Sequence, residues 1–224
     1  MSVMTDSTSL APSAHVLVMG GTFDPVHIGH LIIAEQVREH LRARGVLFIP
    51  TGQPPHKPGR VLSAAEHRHE MTLAATRDNP HFRVSRLEID RAGPSYALDT
   101  VRALRAERGP QTEVIFILGA DQALELMTWH RAAEVLQEAR FVTVPRPGYD
   151  LGLLPQRLGA AAGRVQVLAL RELAISASDI RARAAAGLSL RYLVPEPVRQ
   201  FILAHGLYQT SDGNCRAEEQ SPQP

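Results

Sequence analysis

Lysine is nearly missing from this chain of 224 residues, Lys57 being the only one among 24 lysine and arginine residues. Those cations almost cancel the 23 aspartates and glutamates, so no bulk positive field exists and no nucleic-acid partner is expected. Any anion must be bound locally. Cysteine is equally scarce: Cys215 stands alone in a polar tail, which excludes an internal disulfide framework and any multi-cysteine zinc site. No apolar run approaches the ~18 residues of a membrane span, and Met1 to Ala14 lacks the basic-then-apolar order of a signal peptide. The expectation is a soluble, unexported, cytoplasmic protein with no membrane partner.

What the chain does have is an informative junction. The apolar run Val16–Met19 leads into Gly20-Gly21-Thr22-Phe23-Asp24-Pro25-Val26-His27-Ile28-Gly29-His30, which joins a buried strand to a helix and places two histidines three apart in its first turn. Glycines let the main chain approach an anion, a helix start offers unpaired N–H groups and partial positive charge, and imidazoles add donors. Phosphate binding is the reading. Histidines at this spacing can also ligate zinc, but no further ligand stands at a recognised spacing, so no protein-held metal is expected.

The remaining apolar runs are Val46–Ile49, Phe82–Ile89, Val114–Leu118, Phe141–Val144 and Val165–Leu170, and Val46–Ile49, Val114–Leu118 and most of Phe141–Val144 are continuous rather than alternating. They indicate strands buried on both faces, hence a parallel sheet covered by helices. Helical spacing fills the intervals at Ile28–Arg44, Ala64–Arg77, Tyr96–Arg108, Ala132–Glu138 and Ala177–Ala186, with a last helix at about Glu196–Ala204. Gly148 to Gly163 reads as a loop followed by a short helix. One α/β domain over residues 14–208 results, with a small C-terminal helical segment. The polar stretches 1–13 and 209–224 are expected to be disordered.

Ligands of such sheets collect at the carboxyl ends of strands, so Gly20-Gly21, Gly119-Ala120-Asp121 and Pro145-Arg146-Pro147-Gly148 should share one rim. A carboxylate at Asp121 could accept ribose hydroxyls or help place a magnesium ion. Arg146, between two prolines, suits a fixed phosphate contact. Trp129, the only tryptophan, could stack on a heterocycle. In Ile175-Ser176-Ala177-Ser178-Asp179-Ile180-Arg181 either serine can cap a helix while Arg181, one turn later, projects toward the same helix start. With the first junction this forms a candidate clamp for a triphosphate. His67-Arg68-His69-Glu70 has neighbours two apart on different sides of a helix, and these are read as surface residues.

Seven motifs in order, GGTFDPVHIGH, PPHK, SYALDT within Arg91–Thr100, GADQ followed by TWH, RPG, ISASDIR and LVPEPVRQFILAHGLY, resemble the HxGH nucleotidyltransferase superfamily and, within it, the nicotinate-nucleotide adenylyltransferases. The resemblance runs from about His15 to Tyr208. It implies a Rossmann-like fold and adenylyl transfer from ATP to nicotinate mononucleotide, with Mg2+ carried by ATP. Similarity places Gly20, Gly21, Thr22, Phe23, His27 and His30 on ATP. It puts Ser178 and Arg181, beside Ser176, on the β and γ phosphates, and His56 and Lys57 over the polyphosphate. Gly119 and Asp121 would lie near the ribose, Trp129 against the pyridine ring and Arg146 near the mononucleotide phosphate. Asp24, Ser95, Tyr96, Ala97 and Thr100 fall on the acceptor side.

The chain departs from the family at Ala97, where threonine is frequent next to the nicotinate carboxylate. A main-chain N–H can still donate there, but the hydroxyl is missing. Phosphopantetheine adenylyltransferases share the first and the late motif but lack SYALDT, GADQ with TWH, and HGLY. A class I aminoacyl-tRNA synthetase would need a lysine-rich loop that a chain with one lysine cannot supply. A nucleotide sensor that keeps the fold without turnover is the reading from another class. The sequence leaves a homo-oligomer open.

Overall fold

The computed structural model describes residues 15–55, 61–170 and 174–209. Six strands form one sheet: β1 His15–Gly21, β2 Val46–Pro50, β3 Phe82–Val84, β4 Glu113–Leu118, β5 Ala139–Thr143 and β6 Val165–Val167. Every pairing is parallel, and the order across the sheet is β3-β2-β1-β4-β5-β6. The chain therefore runs outward from β1 to one edge, then returns to β1 and runs to the other. The gap between β1 and β4 is the topological switch point, where a crevice opens beyond the carboxyl ends of the strands.

Eight α-helices accompany the sheet among the described residues: α1 Ile28–His40, α2 Ala65–Thr76, α3 Ala97–Arg108, α4 Ala120–Leu124, α5 Ala132–Glu138, α6 Leu154–Leu158, α7 Ala177–Ala185 and α8 Glu196–Ala204. The two faces of the sheet carry separate cores. Leu17 and Met19 of β1 meet Ala34 and Val37 of α1, Met71 of α2, Ile180 of α7 and Ile202 of α8. Val16 and Val18 point the other way, toward Leu98 and Val101 of α3, Val135 of α5 and Leu158 of α6. Alternation along β1 thus serves two apolar faces at once, which is why the run is continuous in sequence.

Most element positions follow the apolar pattern, with four corrections, the smallest being that the sixth strand stops at Val167 instead of Leu170. The third strand stops at Val84 instead of Ile89, because Ile89 and Asp90 donate their N–H groups back to Arg86 O in a turn. The first helix ends at His40 instead of Arg44, since Arg42 takes a left-handed backbone with φ 51°. Residues 67–70 are not a surface cluster: Arg68 is 2% and His69 6% exposed. The loop-then-helix reading of 148–163 resolves to α6, flanked by 3-10 turns at Leu151–Leu153 and Gly159–Arg164. Except for Gln209, both terminal stretches expected to be disordered lie outside the described residues, as do His56 and Lys57.

Candidate active site

The junction after β1 folds as its residues demand. Phe23 adopts a left-handed backbone with φ 49°, and the Asp24–Pro25 bond is cis. This turn delivers His27 as the extended N-cap of α1, and His27 accepts at its carbonyl from His30 N–H. The two imidazoles stack with centroids 3.6 Å apart and planes 20° from parallel, and Phe23 meets the His30 ring edge-on at 5.1 Å. Gly29 leaves room for the His27 ring: a Cβ there would stand 3.1 Å from His27 Nδ1, a tight contact that the ring would have to yield to.

The protonation of this pair follows from its surroundings. Burial, followed by the charge of Arg146, lowers the His27 pKa to about 4. The His30 pKa also falls well below the usual histidine value, through burial first, then His27, then Arg146. Both rings are therefore neutral at pH 7. His27 N–H donates to His30 Nδ1 at 3.2 Å, so the single ring proton of His30 resides on Nε2. His30 is thus prepared as a donor without carrying charge.

Charge comes from elsewhere on the rim. Ser176 is the N-cap of α7 and accepts from Asp179 N–H at 3.2 Å, while its hydroxyl lies 3.0 Å from that of Ser178. Of the two serines open to the capping role, the structure selects Ser176 and leaves Ser178 exposed. Arg181 projects from α7 to the β1 turn and donates from one guanidinium nitrogen to Asp24 O at 2.6 Å. Arg146, held between its prolines, lies 4.0 Å from Asp121 Oδ2 and 5.9 Å above the Tyr149 ring. Asp121 belongs to α4, whose N-cap is Gly119; a Cβ there would come 2.5 Å from Asp121 Oδ1 and push that carboxylate aside.

One cleft of about 620 Å³ gathers these groups. Its floor is Gly20, Gly21, Thr22, Phe23 and Asp24, with His27 and His30 beside them. Ser176, Ser178 and Arg181 line one wall, and Gly119, Asp121, Trp129 and Arg146 another. Ser95, Tyr96 and Ala97 line the remaining side. Thr100 stands behind that side, fully buried, with its hydroxyl donating to Glu88 Oε1 at 2.6 Å. Trp129 meets Phe141 edge-on at 6.3 Å, and Tyr96 stacks on His130 at 4.1 Å.

Two groups in or under the cleft were missed by sequence reasoning. Glu88 lines it, 6% exposed, with Oε2 unpartnered; burial raises its pKa, and Thr100, Arg91 and Ser95 oppose that rise. Arg68 lies beneath the β1 turn with its guanidinium on main-chain carbonyls. Neither carries a local signal, since their partners are remote in sequence. Among the described residues, no group of three or more His, Cys, Asp or Glu side chains could hold a metal ion, and no helix is long and apolar enough to cross a membrane.

Comparison with known proteins bears on this geometry. The cytidylyltransferase-like family model matches residues 18–183. A relative from Moorella thermoacetica, carrying the name "Probable nicotinate-nucleotide adenylyltransferase", is 44% identical over 196 residues, which cover 86% of this chain and 90% of the relative. One from Saccharopolyspora erythraea with the same name is 45% identical over 90% of this chain and 92% of its own length. In three dimensions the chain is similar to nicotinic acid mononucleotide adenylyltransferase of Plasmodium falciparum, solved complexed with NaAD, with a TM-score of 0.73, 15% identity, and coverage of 87% and 97% of the two chains. At that identity the structural likeness establishes the fold alone.

Proposed function

Since this chain belongs to the cytidylyltransferase-like family and, within it, to the nicotinate-nucleotide adenylyltransferases, we propose that it transfers the adenylyl group of ATP to nicotinate mononucleotide, releasing pyrophosphate and deamido-NAD. The observation that supports this most is the meeting of two helix starts, α1 with its imidazoles and α7 with Arg181, in one cleft at the sheet's switch point. Such a pair can hold a triphosphate from both sides.

The acceptor needs little activation. A phosphate monoester has a second pKa of about 6 and is mostly doubly ionised at neutral pH, so its oxygen attacks the α-phosphorus without a strong base. A new phosphorus–oxygen bond forms as the bond from the α-phosphorus to the α–β bridging oxygen breaks. Pyrophosphate leaves with that electron pair. The protein aligns the reactants and answers the charge that shifts onto the leaving group. His30 Nε2–H supplies a neutral donor, and His27 stacks behind it. Arg181, with Ser176 and Ser178, takes the β and γ phosphates. Magnesium enters as part of MgATP, bound by phosphate oxygens.

On the acceptor side, Arg146 is assigned to the mononucleotide phosphate and Trp129 to the pyridine ring. Ala97 is the first residue of α3, where a main-chain N–H has no partner within the helix. That N–H is the donor proposed for the nicotinate carboxylate in place of the missing threonine hydroxyl. Gly119 and Asp121 are assigned to the ribose. His56 and Lys57 keep the polyphosphate assignment made from sequence, and Thr100 acts from behind the wall by fixing Glu88. Residues 14–208 constitute the catalytic domain, working in the cytoplasm.

The test is pyrophosphate release from ATP with nicotinate mononucleotide, set against its amide counterpart. Release with the acid, at a higher kcat/KM than with the amide, supports the reading in full. Nucleotide binding without release would favour a sensor, and equal use of both acceptors would overturn the Ala97 assignment.

A further inference from the structure

The last motif of the chain, ending HGLY, has no role in the chemistry described so far. Its tyrosine nevertheless reaches the phosphate-facing turn. Tyr208 donates its hydroxyl to Asp24 Oδ1 at 2.7 Å, across 184 residues of sequence. Asp24 is 3% exposed, and its other carboxylate oxygen accepts from Ser63 N–H at 3.3 Å. Its carbonyl is the acceptor that holds Arg181. The side chain therefore ties two distant segments, at Ser63 and Tyr208, to the residue on which the arginine rests.

Arg68 does the same from below. Its guanidinium donates to Thr22 O at 2.8 Å, Gly52 O at 3.1 Å and Ser63 O at 3.1 Å, with Thr51 Oγ1 at 3.5 Å. All four partners are neutral oxygens. Burial presses the Arg68 pKa down, and Asp24 and then Tyr208 oppose that fall. Burying such groups is costly unless their hydrogen bonds are well made, and here three of the bonds, at Thr22 O and the two carboxylate oxygens of Asp24, brace a turn that includes the left-handed Phe23. A turn with that conformation does not hold itself.

We propose that Asp24, Arg68 and Tyr208 are positioning residues for triphosphate binding: together they fix the Thr22–Asp24 turn, and through Asp24 O they set the direction of Arg181. Asp24, which the resemblance places on the acceptor side, is reassigned by this proposal to the nucleotide side, and the effect of all three should fall on that half of the reaction. The acceptor half, formed by Ser95 to Ala97, Trp129 and Arg146, receives no direct hydrogen bond from Asp24, Arg68 or Tyr208 in the contacts above.

The test uses the full chain with Tyr208→Phe, which removes one hydroxyl and keeps the ring packed, and Arg68→Lys, which keeps the charge and loses the planar fork. KM for ATP, KM for nicotinate mononucleotide and melting temperature are measured, with ATP affinity by calorimetry alongside. Each variant should raise KM and Kd for ATP by about tenfold, the scale of one lost hydrogen bond to a charged group, while KM for the acceptor stays within twofold. Failure of lysine to rescue Arg68 marks geometry rather than charge as the cause. Should Tyr208→Phe leave both ATP constants within twofold, or raise both substrate KM values equally, the proposal is overturned. If Arg68→Lys does not fold, Tyr208→Phe decides alone. The inference rests on the adenylyl-transfer reading for its kinetics. An inactive wild-type chain would sink that reading, while calorimetric ATP binding would still test the positioning set.

Discussion

The two helix starts that face the cleft are built in opposite ways. At α1 the N-cap is His27, 6% exposed, its ring stacked on His30 and its neighbour Ile28 donating N–H to Leu193 O at 2.9 Å. At α7 the N-cap is Ser176, satisfied locally by Asp179 N–H, with Ser178 open to solvent. The buried start offers neutral donors held by the surrounding protein. The open start offers charge, through Arg181. The physical reason is the cost of desolvation: a neutral imidazole can be buried and kept in one tautomer, whereas a guanidinium is cheaper to hold near water until an anion arrives. Fixed donors and accessible charge are thus divided between two sides of one site.

The sharpest break in this contrast is His30→Ala. Loss of a preorganised donor should lower turnover by roughly 10²–10³-fold, measured as pyrophosphate release at saturating substrates. A rate near that of the wild type would remove α1 from the mechanism. Next in size is a stability effect of acid on the buried start. Because the folded pKa of His27 is about 4, below its unfolded value, protons bind the unfolded chain first. Stability is complete above about pH 6.5 and declines as pH falls toward 4, by on the order of 3 kcal/mol from His27. Denaturant melts at pH 7 and pH 4.5 should differ in this direction, and His27→Gln should flatten the difference.

Arg181→Ala tests the open start. Removing a charged hydrogen-bond donor should cost about 1.5–3 kcal/mol of nucleotide binding, seen as a lower kcat/KM for ATP with the fold intact. The smallest expected change is Ser176→Ala. Loss of the cap should reduce stability by about 1 kcal/mol, read from the urea midpoint, without the acid dependence seen at α1. If both helix starts responded alike to acid, the division between neutral and charged sides would fail.

Much of this arrangement is legible in the amino-acid order. Continuous apolar runs identify strands buried on both faces, and the glycine-histidine junction behind Val16–Met19 identifies the phosphate-facing turn because its chemistry is local. All candidate residues that fall among the described residues line the cleft except Thr100. What the order of residues hides is support from a distance. Arg68 reads as surface because an i, i+2 comparison sees only its own helix, while its acceptors are main-chain carbonyls at Thr22 and Gly52, which no side-chain letter announces. Glu88 is hidden for the same reason, its hydroxyl partner Thr100 lying one helical turn into α3. The third strand was overextended because Ser85 to Ile89 keeps apolar residues while its backbone turns at Arg86.

The carbonyl of Leu193 and the hydroxyl of Tyr208 close on residues met at the very beginning of the chain. A ribosome therefore delivers the two stacked histidines long before the groups that steady their turn. A product terminated early, before Tyr208 emerged, would display every phosphate-facing side chain of the first two-thirds and still lack the anchor on Asp24. The anchor on Asp24 is complete only once the segment after α8 has been made, 184 residues after the turn that it steadies.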